Sequence, residues 1–180
     1  MQGGFVLFGD RSRDVCSMDT YIALGSNLGN SEAEINRARD FLQTLACSPV
    51  RCSSLWRSEP IGCPPGSPIF VNAVIGLKLS AELSPVRLLD LLQDYEIRAG
   101  RPHDHGHNLP RIIDLDIIYC RNIQIQSPRL TLPHPRAEER LFVMAPLAEI
   151  APDLRLTPCS ETVGQIAARL SATQKCRRLP

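Results

Sequence analysis

Asp114 and Asp116 interrupt an otherwise apolar stretch, Arg111-Ile112-Ile113-Asp114-Leu115-Asp116-Ile117-Ile118-Tyr119. Its β-branched residues favour the pleated state, in which alternate side chains point to opposite faces. Ile113, Leu115, Ile117 and Tyr119 then form one apolar row. The two carboxylates share the other face, roughly 7 Å apart along the backbone. Like charges so placed repel unless something opposes them. A divalent cation would do so, because carboxylates are hard oxygen ligands suited to Mg²⁺, which leaves its other positions to water and substrate phosphates. A solvated acidic edge strand is the other reading of the same local pattern.

Phe70 to Leu79 holds a second polar pair. Val71, Ala73, Ile75, Leu77 and Leu79 make its apolar face and leave Phe70 and Asn72 together on the other. A ring beside a carboxamide can clamp a flat heterocycle by stacking and by pairing with its polar edge. Taken alone, the pair reads as an ordinary strand end. His103, His105 and His107 invite a zinc reading. Alternate spacing in a loop with glycine and proline supplies neither fixed geometry nor a fourth ligand, so a solvated loop is expected there.

The elements that must position these groups follow from periodicity and punctuation. Thr20 to Leu24 reads as a short buried strand ending in the turn Gly25-Ser26-Asn27-Leu28-Gly29-Asn30, which lacks the ending of a Walker loop. Ser31 and Glu34 have capping-box spacing, followed by the helical stripe Ile35, Ala38, Leu42 and Leu45. Val50 to Arg57 is a weaker strand, and Ser58 to Pro68, with four prolines and two glycines, is an irregular loop. Ser84 and Pro85 start a helix through Leu88, Leu91, Leu92 and Tyr95 that ends at Gly100. Leu89, Gln93 and Glu96 share another stripe of it, facing either a site or water.

After the acidic strand, Ile123 to Gln126 is expected as its hairpin partner and Leu130 to Arg136 as extended chain, since each proline biases its predecessor away from helix. Ala137 to Val143 is a short helical turn, Pro146 to Pro152 a connector, and Val163, Ile166, Ala167 and Leu170 the face of a last helix. The order up to Tyr119 is strand, helix, strand, strand, helix, strand. That predicts an α+β, ferredoxin-like βαββαβ core, an antiparallel sheet with helices on one face, plus a C-terminal hairpin and helix. Phe70, Asn72, Asp114 and Asp116 would then share the uncovered side.

The 180 residues suit one domain at 19–180, after a flexible extension at 1–18. A net charge of +1 argues against a nucleic-acid-binding surface. No apolar run reaches membrane-span length, so a cytoplasmic protein is expected. Seven cysteines without a C-x-x-C pair suit reduced, bystander thiols.

Six motifs in order, Tyr-Ile-Ala-Leu-Gly-Ser-Asn-Leu-Gly, Arg-Ser-Glu-Pro-Ile-Gly, Phe-Val-Asn-Ala-Val, Glu-Ile-Arg-Ala-Gly-Arg, Pro-Arg-Ile-Ile-Asp-Leu-Asp and Leu-Pro-His-Pro-Arg with Glu-Arg-Leu-Phe-Val, lie between about Tyr21 and Pro152. Together they resemble the 6-hydroxymethyl-7,8-dihydropterin pyrophosphokinases of folate biosynthesis. The resemblance implies transfer of pyrophosphate from ATP to the pterin hydroxymethyl group, with AMP as the other product. It implies that Asp114 and Asp116 hold two Mg²⁺ ions, and that Arg101 and Arg111 act with them in catalysis. Gln93, Glu96, His134 and Arg140, with both of those arginines, would face ATP, His134 binding phosphate rather than moving a proton. Phe70 and Phe142 would sandwich the pterin, while Asn72, Ser58 and the backbone near Ile61 read its amide edge. A monomer binding ATP and the pterin is expected, with self-association left open. The chain departs from the family pattern at His103, Asn108 and Leu109, in the loop that resembles an ATP-facing lid. The alternatives are another Mg-dependent nucleotidyl- or glycosyltransferase and a non-catalytic pterin-binding module.

Overall fold

The acidic strand lies at the edge of a six-stranded sheet. A computed structural model of the protein describes residues 16–60, 62, 64–100, 110–158 and 160–180. Across the sheet run β5 (Asp114–Cys120), β1 (Cys16–Ser26), β4 (Phe70–Ser80), β3 (Trp56–Ser58) and β8 (Cys176–Arg178), while β2 (Arg51–Cys52) also pairs with β4. Every pairing is antiparallel. α1 (Ser31–Leu45) and α2 (Pro85–Arg98) pack on one face. There Ile22, Leu24, Ala73, Ile75, Leu115 and Ile117 meet Ile35, Leu42, Leu88 and Leu92 in a first core. Phe41 stacks on Tyr95 with ring centroids 4.5 Å apart, which ties the two helices together. This is the expected ferredoxin-like βαββαβ core. Helix α2 starts as expected, with the Ser84 hydroxyl accepting the Arg87 N–H and Pro85 in the first turn.

Local chemistry departs from the pattern in several places. The cap of α1 is Asn30, whose side chain accepts the Ala33 N–H at 3.1 Å, and Glu34 pairs with Arg37 instead of closing a capping box. The strand expected at Val50 to Arg57 is split into β2 and β3. Between them the Ser53 hydroxyl accepts the Val74 N–H at 3.0 Å, so a side chain replaces the backbone in the ladder. In β5, Tyr119 pairs with Tyr21 but Ile117 with Ile22, leaving Ile118 as the extra residue of a bulge. The bulge brings Tyr119 onto the face of Ile118, which is buried in a second core, and takes Tyr119 out of the row of Ile113, Leu115 and Ile117. Strand β6 (Ile125–Gln126) pairs with β7 (Thr131–Leu132), not with β5 as expected.

The face expected to be uncovered carries two further helices over part of its area. α3 (Leu141–Ile150) and α4 (Val163–Ser171) bury Val143, Met144, Leu147, Ile166 and Leu170 against Tyr21, Val74 and Ile118. Helix α3 runs straight through Pro146, where a connector was expected. The proline costs the helix one backbone bond, but α3 is apolar on nearly every side and packs between β4 and α4, so burial outweighs that loss. Thr162 and Gln165 form a full capping box on α4.

Strand β1 begins at Cys16, so residues 16–18 of the expected extension belong to the sheet, Met18 pairing with Leu79. Residues 1–15 of that extension lie outside the described residues. Cys47 is disulfide-bonded, against the expectation of reduced thiols, whereas Cys52, Cys120 and Cys176 are free. Among the described residues no helix is long and apolar enough to cross a membrane. Leu42 is fully buried between α1 and the sheet. Leu42→Ala is expected to lower stability by about 2–5 kcal/mol, measured by urea unfolding.

Candidate active site

One row of directly opposed residues crosses three strands. Asp114 on β5 pairs with Gly25 on β1, and Gly25 with Asn72 on β4. Opposed residues in an antiparallel ladder present their side chains on the same face. Two residues along, Asp116 pairs with Ala23, and Ala23 with Val74, where α3 covers the face. The acidic pair and Asn72 thus share one face, as the strand alternation implied, but beside the part of the sheet roofed by α3 rather than on a bare face.

The middle of the row has no side chain. A Cβ built on Gly25 would stand 3.5 Å from Asn72 Oδ1 and 3.9 Å from the Phe70 ring, so Gly25 is the floor of a trough between carboxylate and carboxamide. Sequence reasoning treated this glycine as part of a turn; its place opposite Asp114 and Asn72 emerges only from the register. Asn72 is 3% exposed, and its Nδ2 donates to Ser58 Oγ at 2.9 Å and to the Trp56 carbonyl at 3.4 Å. With its amide hydrogens spent on β3, Asn72 offers the trough an acceptor, Oδ1. Ser58 pairs with Phe70 across the β3–β4 ladder, so three of the expected heterocycle-binding residues converge. Phe142 is carried by the first turn of α3, partly buried on the second core. Ile61 lies outside the described residues.

The charge of the acidic pair is opposed by protein groups. Arg111 donates from Nη1 to Asp114 Oδ1 at 2.7 Å, both side chains being partly buried. Arg140, at the N-terminus of α3, has its guanidinium 5.5 Å from the centre of the Phe142 ring. Burial, then Arg136, lowers its pKa from the ordinary range, and Asp116 and Asp114 oppose that shift. Repulsion between the carboxylates is thus relieved in part by arginines, before any cation is considered. His134 is held by its own N–H to the Ile118 carbonyl at 2.9 Å. Its Nδ1 accepts the Arg136 N–H at 3.2 Å, which places the proton of the neutral ring on Nε2 and makes that edge a donor. Burial, Arg140 and Arg136 together lower its pKa below 6.5.

The two candidates on α2 part company. Gln93 is exposed. Glu96 is 3% exposed, and its Oε1 accepts the Leu115 N–H at 2.6 Å, on the outer edge of β5. It therefore braces the backbone between Asp114 and Asp116 from inside the fold, a role that helical spacing does not reveal. Arg101 lies outside the described residues, as do His103, His105, His107, Asn108 and Leu109.

Two carboxylates on one face suit Mg²⁺, which takes one or two of them and completes its shell with water and phosphate oxygens. Among the described residues no cluster of three or more His, Cys, Asp or Glu side chains is present, so a site there would draw its remaining ligands from outside that set.

The fold is ferredoxin-like, with an acidic pair and a buried carboxamide on one face of its sheet. Residues 21–152 match the family 7,8-dihydro-6-hydroxymethylpterin-pyrophosphokinase (HPPK). The chain is 42% identical over 137 residues to the 2-amino-4-hydroxy-6-hydroxymethyldihydropteridine pyrophosphokinase of Pseudomonas aeruginosa, covering 76% of this chain and 82% of the relative. To the protein of the same name from Haemophilus influenzae it is 40% identical over 152 residues, covering 84% and 92%. Its fold matches the solved Plasmodium falciparum HPPK-DHPS wild type with a TM-score of 0.66 at 11% identity, over 87% of this chain. The chain spans 45% of that longer chain. This chain belongs to the HPPK family.

Two measurements test the geometry. Because the folded pKa of His134 lies below the unfolded one, the unfolded chain binds the proton more tightly. That contribution to stability is whole above pH 6.5 and is lost as pH falls through the folded value. An NMR titration is expected to place the His134 midpoint below 6.5, and phosphate-bearing ligands to raise it. Glu96→Ala strands the buried Leu115 N–H and is expected to cost about 1–3 kcal/mol in urea unfolding.

Proposed function

We propose that the protein transfers the β,γ-pyrophosphoryl group of ATP to the hydroxymethyl oxygen of 6-hydroxymethyl-7,8-dihydropterin, in folate biosynthesis. The bond from the pterin oxygen to the β-phosphorus forms, the bond from that phosphorus to the oxygen shared with the α-phosphate breaks, and AMP leaves with that oxygen. The hydroxyl proton is released. The observation that carries this reading is the row from Asp114 through Gly25 to Asn72, with acidic groups at one end and a carboxamide acceptor at the other. It suits a phosphate chain and a flat donor-bearing heterocycle lying side by side.

Each residue then has a task its chemistry supports. Asn72 Oδ1 accepts from an N–H of the pterin amide edge, while Ser58 holds the Asn72 amide in place. Phe70 and Phe142 sandwich the ring, and the backbone at Ile61 completes its edge. Such a site discriminates by hydrogen bonding, which rejects a mismatched heterocycle more strongly than an apolar slot does. Arg111, Arg140 and Arg101 face the triphosphate, with forked guanidinium groups suited to phosphate oxygens. His134 donates to phosphate from Nε2–H, and Gln93 sits at the nucleotide side. Glu96 acts through the β5 backbone. Asp114 and Asp116 would hold two Mg²⁺ ions, which when bound neutralise phosphate charge and steady the departing AMP oxygen. A cytoplasmic monomer, with no nucleic acid or membrane involved, suits this reading.

The test is product analysis. AMP and a pterin diphosphate should appear only when ATP, the reduced pterin and Mg²⁺ are all supplied, and chelation with EDTA should stop the reaction until Mg²⁺ is restored. Asp116→Ala should lower kcat about 100-fold or more. A sugar-linked product, or pterin binding in calorimetry without AMP formation, would overturn the assignment.

A further inference from the structure

Asn27 follows β1 directly, two residues beyond Gly25, and is 4% exposed. Its side chain and backbone join three segments far apart in the chain. The Asn27 N–H donates to the Arg111 carbonyl at 3.1 Å, and Asn27 Oδ1 accepts the Arg111 N–H at 2.8 Å. Its Nδ2 donates to the Pro68 carbonyl at 3.3 Å. Pro68 stands two residues before Phe70. Arg111 is the residue whose guanidinium holds Asp114.

The carboxamide is well matched to this place. One short planar group must present an acceptor to one segment and a donor to another, and aspartate supplies only the acceptor. The Asn27 side chain itself is buried, and a satisfied polar junction anchored there fixes geometry more firmly than a contact between exposed side chains. Asn27 also sits at the end of the strand that forms the middle of the Asp114–Gly25–Asn72 row. Whatever holds its two partners holds the two ends of the trough.

We propose that Asn27 is a positioning residue that sets the distance between the heterocycle-binding entry to β4 and the phosphate-facing Arg111–Asp114 pair, touching neither substrate. This rests on the functional reading above. Each half-site keeps its own residues without Asn27, but their mutual placement is no longer held. In-line transfer depends on that placement, so the loss falls mainly on turnover and less on either substrate's binding.

The experiment compares wild type, Asn27→Ala and Asn27→Asp, with KM for each substrate, kcat, calorimetric binding of each substrate alone, and urea unfolding to measure the folded fraction. Asn27→Ala should bind each substrate alone much as wild type does while kcat per folded molecule falls about 100-fold. Asn27→Asp keeps the acceptor for Arg111 and loses the donor to Pro68, so its kcat per folded molecule should fall, by less than in Asn27→Ala, while both KM values stay near wild type. A wild-type kcat per folded molecule in Asn27→Ala overturns the proposal. So does a wild-type kcat per folded molecule in Asn27→Asp, and that variant decides alone if the alanine form does not fold. Wild type making no AMP would instead be a failure of the functional reading, with Asn27 not at issue.

Discussion

The register of β1 between β4 and β5 is the constraint on which this structure depends. Side chains along a strand alternate between faces, so a slip of one residue on either side of β1 would send Asp114 or Asn72 into the helix-packed core. Burial enforces the register. Ile22 and Leu24 on β1 fit the first core only when their neighbours Ile75, Ala73 and Leu115 face the same helices. The polar row on the opposite face is set by the same pairing, so packing on one side of the sheet arranges chemistry on the other.

That row starts at the sheet's edge, where, among the described residues, the backbone groups of β5 meet no further strand. Glu96 takes one of them, the Leu115 N–H, from within α2. Arg111 is tied by its backbone to Asn27 and by its guanidinium to Asp114. The bulge at Ile118 then turns Tyr119 onto the face that Ile118 already occupies and α3 covers, anchoring the far end of the strand without disturbing the spacing of Asp114 and Asp116. An edge strand braced in these ways can carry two carboxylates that would otherwise favour solvation or disorder. The electrostatic arrangement follows the same logic. Arg140 feels the charge of Asp116 and Asp114 from the start of α3, so the helix that covers part of the second face also brings a cation toward the rest.

The alternation of apolar and polar residues in β4 and β5 is a local property, and it sufficed to pair Phe70 with Asn72 and Asp114 with Asp116 on common faces. The helical stripes of α1 and α2 were equally legible, as was the Ser84 cap. Where side chains compete with the backbone, local pattern failed. Asn30 displaced Ser31 as a cap, and the Ser53 hydroxyl broke one expected strand into two. Helix α3 went unread because the proline rule is local, whereas the burial that overrides it comes from β4 and α4. Strand β8 pairs with β3, far back in the chain, and three residues carry too little periodicity to announce it.

By itself, the sequence determined the order of core elements, the shared faces of the polar pairs and the family, because periodicity and motif spacing are written in neighbouring residues. Only the tertiary structure decided that Gly25 floors the trough, that Glu96 braces β5 from inside and that Asn27 joins Pro68 to Arg111. Those roles are contacts between residues distant along the chain, and they exist only once strand register and helix packing have brought them together.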